Sequence, residues 1–269
     1  MKLPEHAPEI ARFRCNICGS HNALSVATFH RELAVCSGCG SNARFRGIVH
    51  ALAECLGMPT GEILRDWPPR SDLRGIGMSD WPGYAGPLAR KYAYENTHYD
   101  RVPQLDILGP EAGRLGRNDF VISTDVLEHV VQPIQTAFDN LLRLLKPGGH
   151  LVFSVPYSRE AATVEHFENL VEFEIHDFSG DKILINRLAP GRYAVYDNLV
   201  FHGGDGATLE MRIFSEADVL DRLARAGFCE IRVHDQPDLS IGYYWPPLPQ
   251  ADPTAPPLHA YIITARRPL

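Results

Sequence analysis

The chain has 269 residues, of which 26 are Lys or Arg and 33 are Asp or Glu, so its formal net charge is −7. This length allows one large domain with a small appendage, and the acidic balance gives no general attraction for nucleic acid. The sequence holds neither an apolar run of about 18 residues nor the apolar core of a signal peptide, so we expect a cytoplasmic protein that spans no membrane. Six cysteines in such a chain indicate metal binding or free thiols.

Four of the six cysteines form two Cys-x-x-Cys pairs near the N-terminus. Cys15 and Cys18 are followed, after 17 residues, by Cys36 and Cys39. Each pair lets one tight turn direct two thiolates to a common point, and four thiolates suit tetrahedral zinc. The alternative, two disulfides or unpaired thiols, is disfavoured in a reducing compartment. Because four protein ligands leave no open position for a substrate, the zinc would be structural.

The residues around these pairs predict a zinc ribbon followed by a helix. β-Branched and aromatic residues between Ala23 and Val35 predict a hairpin, and apolar residues at helical spacing predict a helix from Ala43 to Leu56. The ribbon is mildly basic, which leaves open whether it contacts nucleic acid or only stabilises the fold; the residues concerned are His21, His30, Arg31, Arg44 and Arg46. We divide the chain into a ribbon (1–42), a linking helix (43–60) and a main domain (61–269).

The first part of the main domain alternates between strands and helices. A glycine-rich turn, Leu73–Asp80, precedes a predicted helix from Tyr84 to Lys91. Predicted strands follow at Tyr92–Thr97 and Gln104–Ile107. This alternation is typical of a parallel sheet covered by helices.

The most informative segment runs from Asp119 to Tyr157. A strand, Phe120–Ser123, leads into the acidic turn Thr124–His129 and then into an amphipathic helix that begins near Ile134. Lys146-Pro147-Gly148-Gly149 ends the helix, and a second apolar strand, Leu151–Val155, follows. A strand–helix–strand unit of this kind requires parallel pairing and a right-handed crossover.

Two strings in this segment carry a resemblance. Asp125-Val126-Leu127-Glu128-His129 and Leu145-Lys146-Pro147-Gly148-Gly149 resemble, in order and separation, motifs of the class I S-adenosylmethionine (SAM) methyltransferases. The flanking pattern extends the resemblance to residues 60–269. It implies an α/β fold with a Rossmann-like, seven-stranded sheet, here preceded by the small zinc ribbon, and SAM as the methyl donor.

The resemblance places one end of SAM at the glycine-rich turn. Gly75, Gly77 and Ser79 match the family's acidic-x-Gly-x-Gly turn, where glycine lets the backbone approach the cofactor. The match is loose, because Gly75 stands where an acidic residue is usual and Ser79 replaces the second glycine. Asp80 is a candidate for the missing carboxylate.

The resemblance places the rest of SAM along the neighbouring strand ends. Either Glu95 or Asn96 would bind the ribose hydroxyls at the end of the second strand. Asp106 would accept a hydrogen bond from the adenine amine, and Ile107 would pack on the ring. Asp125, at the end of the fourth strand, would face the reaction centre, since ligands bind at the carboxyl ends of the strands.

A base is needed only if the methyl acceptor must lose a proton. The segment 157–210 is too long for a simple connection, so we interpret it as a substrate-side insertion. Its His202, His166 and Tyr157 are the candidate bases, although the glycine-rich segment around His202 (201–206) also suits a surface turn. We expect His129 to hold its loop near the cofactor instead.

The remaining residues complete the fold. Ser215-x-x-Asp218 predicts the start of a helix that Gly227 ends. Phe228–His234 and His259–Ala265 predict a final pair of antiparallel strands, joined through a stiff proline-rich link.

The acidic charge favours a small-molecule, sugar or glycan acceptor. The two-part layout also resembles ribosomal RNA methyltransferases that begin with a zinc finger, so RNA is an alternative substrate. The altered glycine turn leaves open a binding module that has lost catalysis. The sequence gives no oligomeric state.

Overall fold

A computed structural model of the chain describes residues 1–3, 5–33, 35–59, 61–170, 172–202, 208–250 and 254–269. In these residues the α-helices are Ala43–Cys55 (α1), Pro82–Lys91 (α2), Ile134–Leu144 (α3) and Glu216–Ala226 (α4). The strands, in chain order, are Ile10–Arg14 (β1), His21–Ser25 (β2), Arg70–Met78 (β3), Tyr92–Thr97 (β4), Asn118–Thr124 (β5), Leu145–Ser154 (β6), Tyr157–Ser158 (β7), Val164–Glu165 (β8), Glu172–Phe178 (β9), Asp181–Ala189 (β10), Arg192–Tyr196 (β11), Phe201–His202 (β12), Thr208–Leu209 (β13), Arg212–Ser215 (β14), Cys229–His234 (β15) and Ile262–Arg266 (β16).

A mostly parallel sheet forms the centre of the molecule. Its order is β15-β16-β6-β5-β3-β4, in which β4, β3, β5 and β6 run parallel and β16 pairs antiparallel with both of its neighbours, β6 and β15. The described residues thus supply six of the seven expected strands. The predicted strand Gln104–Ile107 makes only an isolated parallel bridge, Gln104 to His98. Its extension stops because the Asp106 carboxylate accepts the Leu108 N–H at 2.9 Å and turns the chain.

Two apolar strands form the core of this sheet. Phe120–Ile122 of β5 and Leu151–Phe153 of β6 are fully buried, as expected for parallel strands covered on both faces. The register pairs Val121 with Leu151 and Ile122 with Val152. The parallel pairing predicted for the segment from Asp119 to Tyr157 is confirmed.

The Lys146–Gly149 segment acts differently from the prediction. Helix α3 ends at Leu144, and the extended Leu145 already begins β6. Gly148 has φ 76°, and a Cβ on Gly149 would lie 3.0 Å from the Lys146 carbonyl oxygen. The two glycines therefore shape the start of the strand, not a helix cap.

The N-terminal module contains a hairpin at a different place from the predicted one. Strands β1 and β2 lie on either side of the first cysteine pair and pair antiparallel, Ile10 with Ser25 and Arg14 with His21. Of the predicted hairpin Ala23–Val35, only Ala23–Ser25 is strand among the described residues, so that prediction is wrong. The β-branched and aromatic residues after it include Val26 and Phe29, which are buried in the core.

Helix α1 confirms the prediction and joins the module to the sheet. The Asn42 side chain accepts the Phe45 N–H at 2.8 Å and caps the helix. Arg46 is fully buried and donates to the Ser41 carbonyl at 2.6 Å and to the Gly242 carbonyl at 2.8 Å. These bonds connect the cysteine-rich module to the C-terminal part of the chain.

The insertion forms a three-stranded meander, β11-β10-β9, with a small core of Phe167, Leu184, Leu209 and Met211. The predicted glycine-rich turn lies outside the described residues from position 203 to 206. After the insertion, Ser215 Oγ accepts the Asp218 N–H at 3.1 Å and Gly227 ends α4 with φ 102°, which confirms both predicted caps. No helix among the described residues combines the length and apolar character that a membrane crossing requires.

Candidate functional site

The carboxyl ends of β3, β4, β5 and β6 meet at one edge of the sheet, and most predicted site residues lie there. Gly75 and Gly77 of β3 have a packing role at this edge. A Cβ on Gly75 would overlap the ring of Phe120, and one on Gly77 would overlap the side chains of Asp80 and Tyr94. The loss of the usual acidic residue at position 75 therefore has a steric reason.

The turn after β3 is held by Asp80 and Asn96. The Asp80 carboxylate is buried and accepts hydrogen bonds from the hydroxyls of Tyr84 (2.7 Å) and Tyr94. Burial raises its pKa to about 6 despite these bonds. The Asn96 side chain accepts the Asp80 N–H at 2.9 Å and donates to the Asp80 carbonyl at 2.8 Å. Asp80 thus faces the protein interior and fixes the turn, while Ser79 stands at its tip with φ 58°.

Of the predicted cofactor contacts Glu95, Asp106 and Ile107, two are exposed and one is buried. Glu95 is exposed and pairs with Arg114. Asp106 is exposed, whereas Ile107 is buried and its carbonyl accepts the Asn140 side chain at 2.8 Å. The free Asp106 oxygen and the surface-facing Glu95 are available to a ligand.

Asp125 is the residue at which the N-terminal module meets the sheet edge. Arg31 Nη2 lies 2.6 Å from Asp125 Oδ2 and 3.0 Å from Oδ1, and Arg44 Nη1 lies 3.4 Å from Oδ2. Ser154 Oγ donates to Asp125 Oδ1 at 3.0 Å. Burial acts to raise the pKa of Asp125, but the two guanidinium groups outweigh it and hold the pKa below its ordinary value.

Glu128 and His129 follow in the same turn and are tied to the end of the insertion. His129 Nδ1 bonds to the Leu209 carbonyl at 2.9 Å, and the Met211 N–H donates to the Glu128 carbonyl at 2.7 Å. The Glu128 side chain is fully buried. Burial, reinforced by the charge of Asp125, raises the pKa of Glu128 well above its ordinary value.

Two of the three predicted bases converge on Glu210. His166 Nε2 lies 2.8 Å from Glu210 Oε1, and His202 Nε2 lies 3.1 Å from Oε2. The ring of His202 also meets the ring of His129 edge-on, with centroids 5.6 Å apart. Tyr157 is elsewhere: it is fully buried, packs against His259, and burial raises its pKa. The geometry therefore separates Tyr157 from the two histidines.

The four cysteines of the N-terminal module come together at one point. Their sulfur atoms all lie within 4.8 Å of one another, with Cys15–Cys39 at 3.8 Å and Cys18–Cys36 at 3.6 Å. A tetrahedron with metal–sulfur bonds of about 2.3 Å has sulfurs roughly 3.8 Å apart, so these residues fit a zinc ion. The spacing is too long for disulfides, and all four are free thiols.

Several residues of this centre were not identified from the sequence. Arg31 and Arg44 were counted only among the residues that make the module mildly basic, and their partner Asp125 is remote in the chain. Glu210 carried no sequence signal, because a lone glutamate beside a short strand resembles a solvated residue. Glu128 was part of a recognised motif, but its burial depends on the return of residues 209–211 across the turn.

Comparisons with family profiles and with solved structures both gave matches. The profile of a methyltransferase domain family matches residues 18–196, which is more than half of the chain. No curated protein gives a significant match. Similar solved structures include the Burkholderia thailandensis 1,6-didemethyltoxoflavin-N1-methyltransferase with 1,6-didemethyltoxoflavin and S-adenosylhomocysteine (TM-score 0.43, 13% identity, 84% of this chain and 79% of that chain). A Clostridium acetobutylicum S-adenosylmethionine-dependent methyltransferase is also similar (TM-score 0.42, 11% identity, 81% and 89%).

A third similar structure is CalS10 with SAM, an amino pentose methyltransferase from Micromonospora echinaspora (TM-score 0.38, 12% identity, 72% of this chain and 83% of that chain). These structural similarities are too low to indicate a substrate. The assignment of the chain to a family depends on the sequence profile alone. The chain belongs to the methyltransferase domain family and is an enzyme of the methyltransferase class.

Proposed function

We propose that the protein transfers the methyl group of SAM to a small-molecule, sugar or glycan acceptor. The observation that carries this proposal is the cluster of histidines and carboxylates next to Asp125, on a protein of net charge −7. Such a centre can bind and deprotonate a neutral hydroxyl or amine, whereas a polyanion would be repelled by the protein as a whole.

In this proposal SAM lies across the carboxyl ends of β3, β4 and β5. Gly77 and Ser79 would border its methionine part. Gly75 would contribute by letting the ring of Phe120 pack against the strand that precedes the turn. Glu95 or Asn96 would bind the ribose. Glu95 is the better placed of the two, because both polar ends of Asn96 already bond to the Asp80 backbone.

The remaining SAM contacts would come from Asp106 and Ile107 at the adenine and from Asp125 at the reaction centre. Asp106 has one carboxylate oxygen engaged by the Leu108 N–H and is otherwise exposed, which suits a bond from the adenine amine. Asp125 would remain ionised at neutral pH because the neighbouring guanidinium groups lower its pKa.

We propose that Cys15, Cys18, Cys36 and Cys39 hold a structural zinc ion, and that residues 1–42 form a module built around it. The module contributes Arg31 to the centre, so zinc would act on catalysis by positioning this arginine. The rest of the chain would then be a linking helix (43–60) and a catalytic domain (61–269) that contains the insertion 157–210.

Among the three candidates, His202 is the one that lies at the acidic turn and whose side chain we propose takes part in the reaction. It lies beside His129 of the acidic turn, and Glu210 orients its ring. His166 contacts the other oxygen of Glu210 and would act through it. Tyr157 is too deeply buried to meet an acceptor without a rearrangement.

The RNA alternative has less support. Arg31 and Arg44 face Asp125 and Glu32, and Arg46 is buried, so that Arg12 and Arg14 are the exposed arginines of the module. Phosphate contacts would need the charges of Arg31, Arg44 and Arg46 at the surface.

Calorimetric titration with SAM and its demethylated product tests the cofactor site. We expect binding that Asp106→Ala weakens tenfold or more (about 1.4 kcal/mol) and that the control Asp100→Ala, at an exposed neighbouring position, leaves unchanged. Equal effects of both variants would contradict the assigned adenine site. Absence of binding in the wild-type protein would favour the inactive binding module.

Methyl-labelled SAM with pooled glycans and small molecules, and separately with ribosomal RNA fragments, then tests the acceptor. Label transfer to RNA alone would overturn the proposal. Within an active pool, His202→Gln is expected to lower kcat strongly and Tyr157→Phe to leave it nearly unchanged.

A further inference from the structure

Glu128 has an unusual environment for a charged residue. Its side chain is fully buried, and neither carboxylate oxygen has a hydrogen-bond partner among the described residues. An unpaired carboxylate in this position costs several kcal/mol. Protonation alone does not solve the problem, since the acid O–H would also need an acceptor, and His129 Nε2 at 3.8 Å from Oε1 is beyond hydrogen-bond distance.

Two imidazole rings stand beside this carboxylate. One donor atom from each of Glu128, His129 and His202 lies within 4.8 Å of the other two. Metal–ligand bonds of about 2.0–2.2 Å place two ligand atoms roughly 3–4 Å apart. The 3.8 Å between His129 Nε2 and Glu128 Oε1 is therefore too long for a hydrogen bond but right for a shared ion.

The two rings are also held as metal-binding histidines usually are. His129 Nδ1 bonds to the Leu209 carbonyl at 2.9 Å, and His202 Nε2 lies 3.1 Å from Glu210 Oε2. A histidine that donates one N–H to a carbonyl or carboxylate keeps the lone pair of its other nitrogen for a ligand. Each ring thus has one nitrogen next to a protein oxygen, and among the described residues the other nitrogen remains for an ion.

A second histidine–glutamate group in the chain lacks these features. His50, Glu54 and His234 also come within 4.8 Å of one another. There, however, Arg232 Nη1 already binds Glu54 at 2.9 Å, and Glu54 is partly exposed. That carboxylate has its counter-charge, so nothing in this group requires an ion.

We propose that Glu128, His129 and His202 bind a divalent transition-metal ion, separate from the ion of the four cysteines. Two imidazoles and one carboxylate suit Mn²⁺, Fe²⁺, Co²⁺ or Zn²⁺ and leave coordination positions open. In the proposed reaction the ion would bind the acceptor oxygen and lower its pKa, and His202 would be a ligand of the ion, not the base. This consequence rests on the proposed function, whereas the ion site does not.

Titration calorimetry with Mn²⁺ alone tests the site, because manganese prefers nitrogen and oxygen ligands to thiolates. The protein is first loaded with one equivalent of Zn²⁺ at the cysteines, verified by metal analysis. We expect one further equivalent of Mn²⁺ to bind, and Glu128→Gln and His202→Gln each to weaken this binding tenfold or more. The matched control is His50→Gln, the same substitution in the second group, which should leave the affinity unchanged.

Circular dichroism and a SAM titration of each variant show whether it is folded. If His50→Gln abolishes manganese binding and Glu128→Gln does not, the ion belongs to the second group and the proposal is wrong. Absence of Mn²⁺ and Co²⁺ binding in the zinc-loaded wild-type protein would also overturn it. SAM binding is a separate measurement, so a failed ion site and a failed cofactor site are distinguishable.

Discussion

Replacing Arg31 by Met removes the main counter-charge of Asp125 while keeping a long apolar side chain. The Arg31 side chain is 7% exposed and that of Asp125 is 19% exposed, so the carboxylate would be left in a poorly solvated place. Breaking a buried pair by removing one partner costs about 3–5 kcal/mol. We expect a value near the lower end, about 3 kcal/mol, because Arg44 remains 3.4 Å from Asp125.

The measurement is the free energy of unfolding from urea denaturation of the zinc-loaded protein, for the single variants Arg31→Met and Asp125→Asn and for the double variant. The double variant should be less destabilised than the sum of the single variants, because it leaves neither charge unpaired. The control is Arg70→Met, which breaks the solvent-exposed pair with Asp72 (2.7 Å) and should leave the free energy of unfolding nearly unchanged. If Arg31→Met costs no more than this control, or if the cycle is additive, the contact between module and sheet edge has no energetic importance.

Three further predictions concern other parts of the structure. The pKa of Asp80 is raised from 3.8 to about 6, so the folded state is destabilised as Asp80 ionises between these two pH values. Relative to Asp80→Asn, the free energy of unfolding of the wild-type protein should fall by up to roughly 3 kcal/mol between pH 4 and pH 7, measured by denaturant titration. The pKa of His234 is lowered from 6.5 to about 4, chiefly by burial, so the free energy of unfolding should fall by up to roughly 3 kcal/mol as the pH drops from 6.5 to 4. The variant His234→Gln should lack this part of the acid sensitivity. If the pH dependence of its stability matches that of the wild-type protein, the ring of His234 is not a buried neutral group. Removal of zinc by a chelator should lower the Tm and weaken SAM binding, since it frees Arg31 from its position; the variant Cys36→Ser should reproduce both effects, and a SAM affinity that does not respond to zinc would separate the module from the site.

The order of strands and helices followed from local patterns in the sequence. The apolar strands around Val121 and Val152, the helix between them and the capped helix α4 all depend on residues close to one another in the chain. The cysteine spacing likewise predicted convergence of four thiolates, because each pair occupies one turn. Such features are determined by short-range sterics and by hydrophobic periodicity, both of which the sequence displays directly.

Local patterns predicted the wrong secondary structure where contact with a distant segment of the chain determines it. The β propensity of Ala23–Val35 predicted an internal hairpin, but β2 pairs backwards with β1 across the first cysteine pair. Gly148 and Gly149 have the chemistry of a helix cap, yet the helix ends earlier and the glycines allow β6 to pass close to β5. Propensity is a weak preference that pairing partners readily override.

The functional centre was decided mostly by tertiary structure. Arg31 and Asp125 are 94 positions apart, and Glu210 reaches His166 across 44 positions. No sequence pattern relates such residues, because a contact over this distance depends on how helices and strands pack, not on local spacing. The sequence by itself determined the family, the parallel pairing of the two apolar strands and the cysteine cluster. Only the folded chain, by burying Glu128 and turning Arg31 inward, decided which charges meet at the centre, since burial removes the solvent that would otherwise screen them.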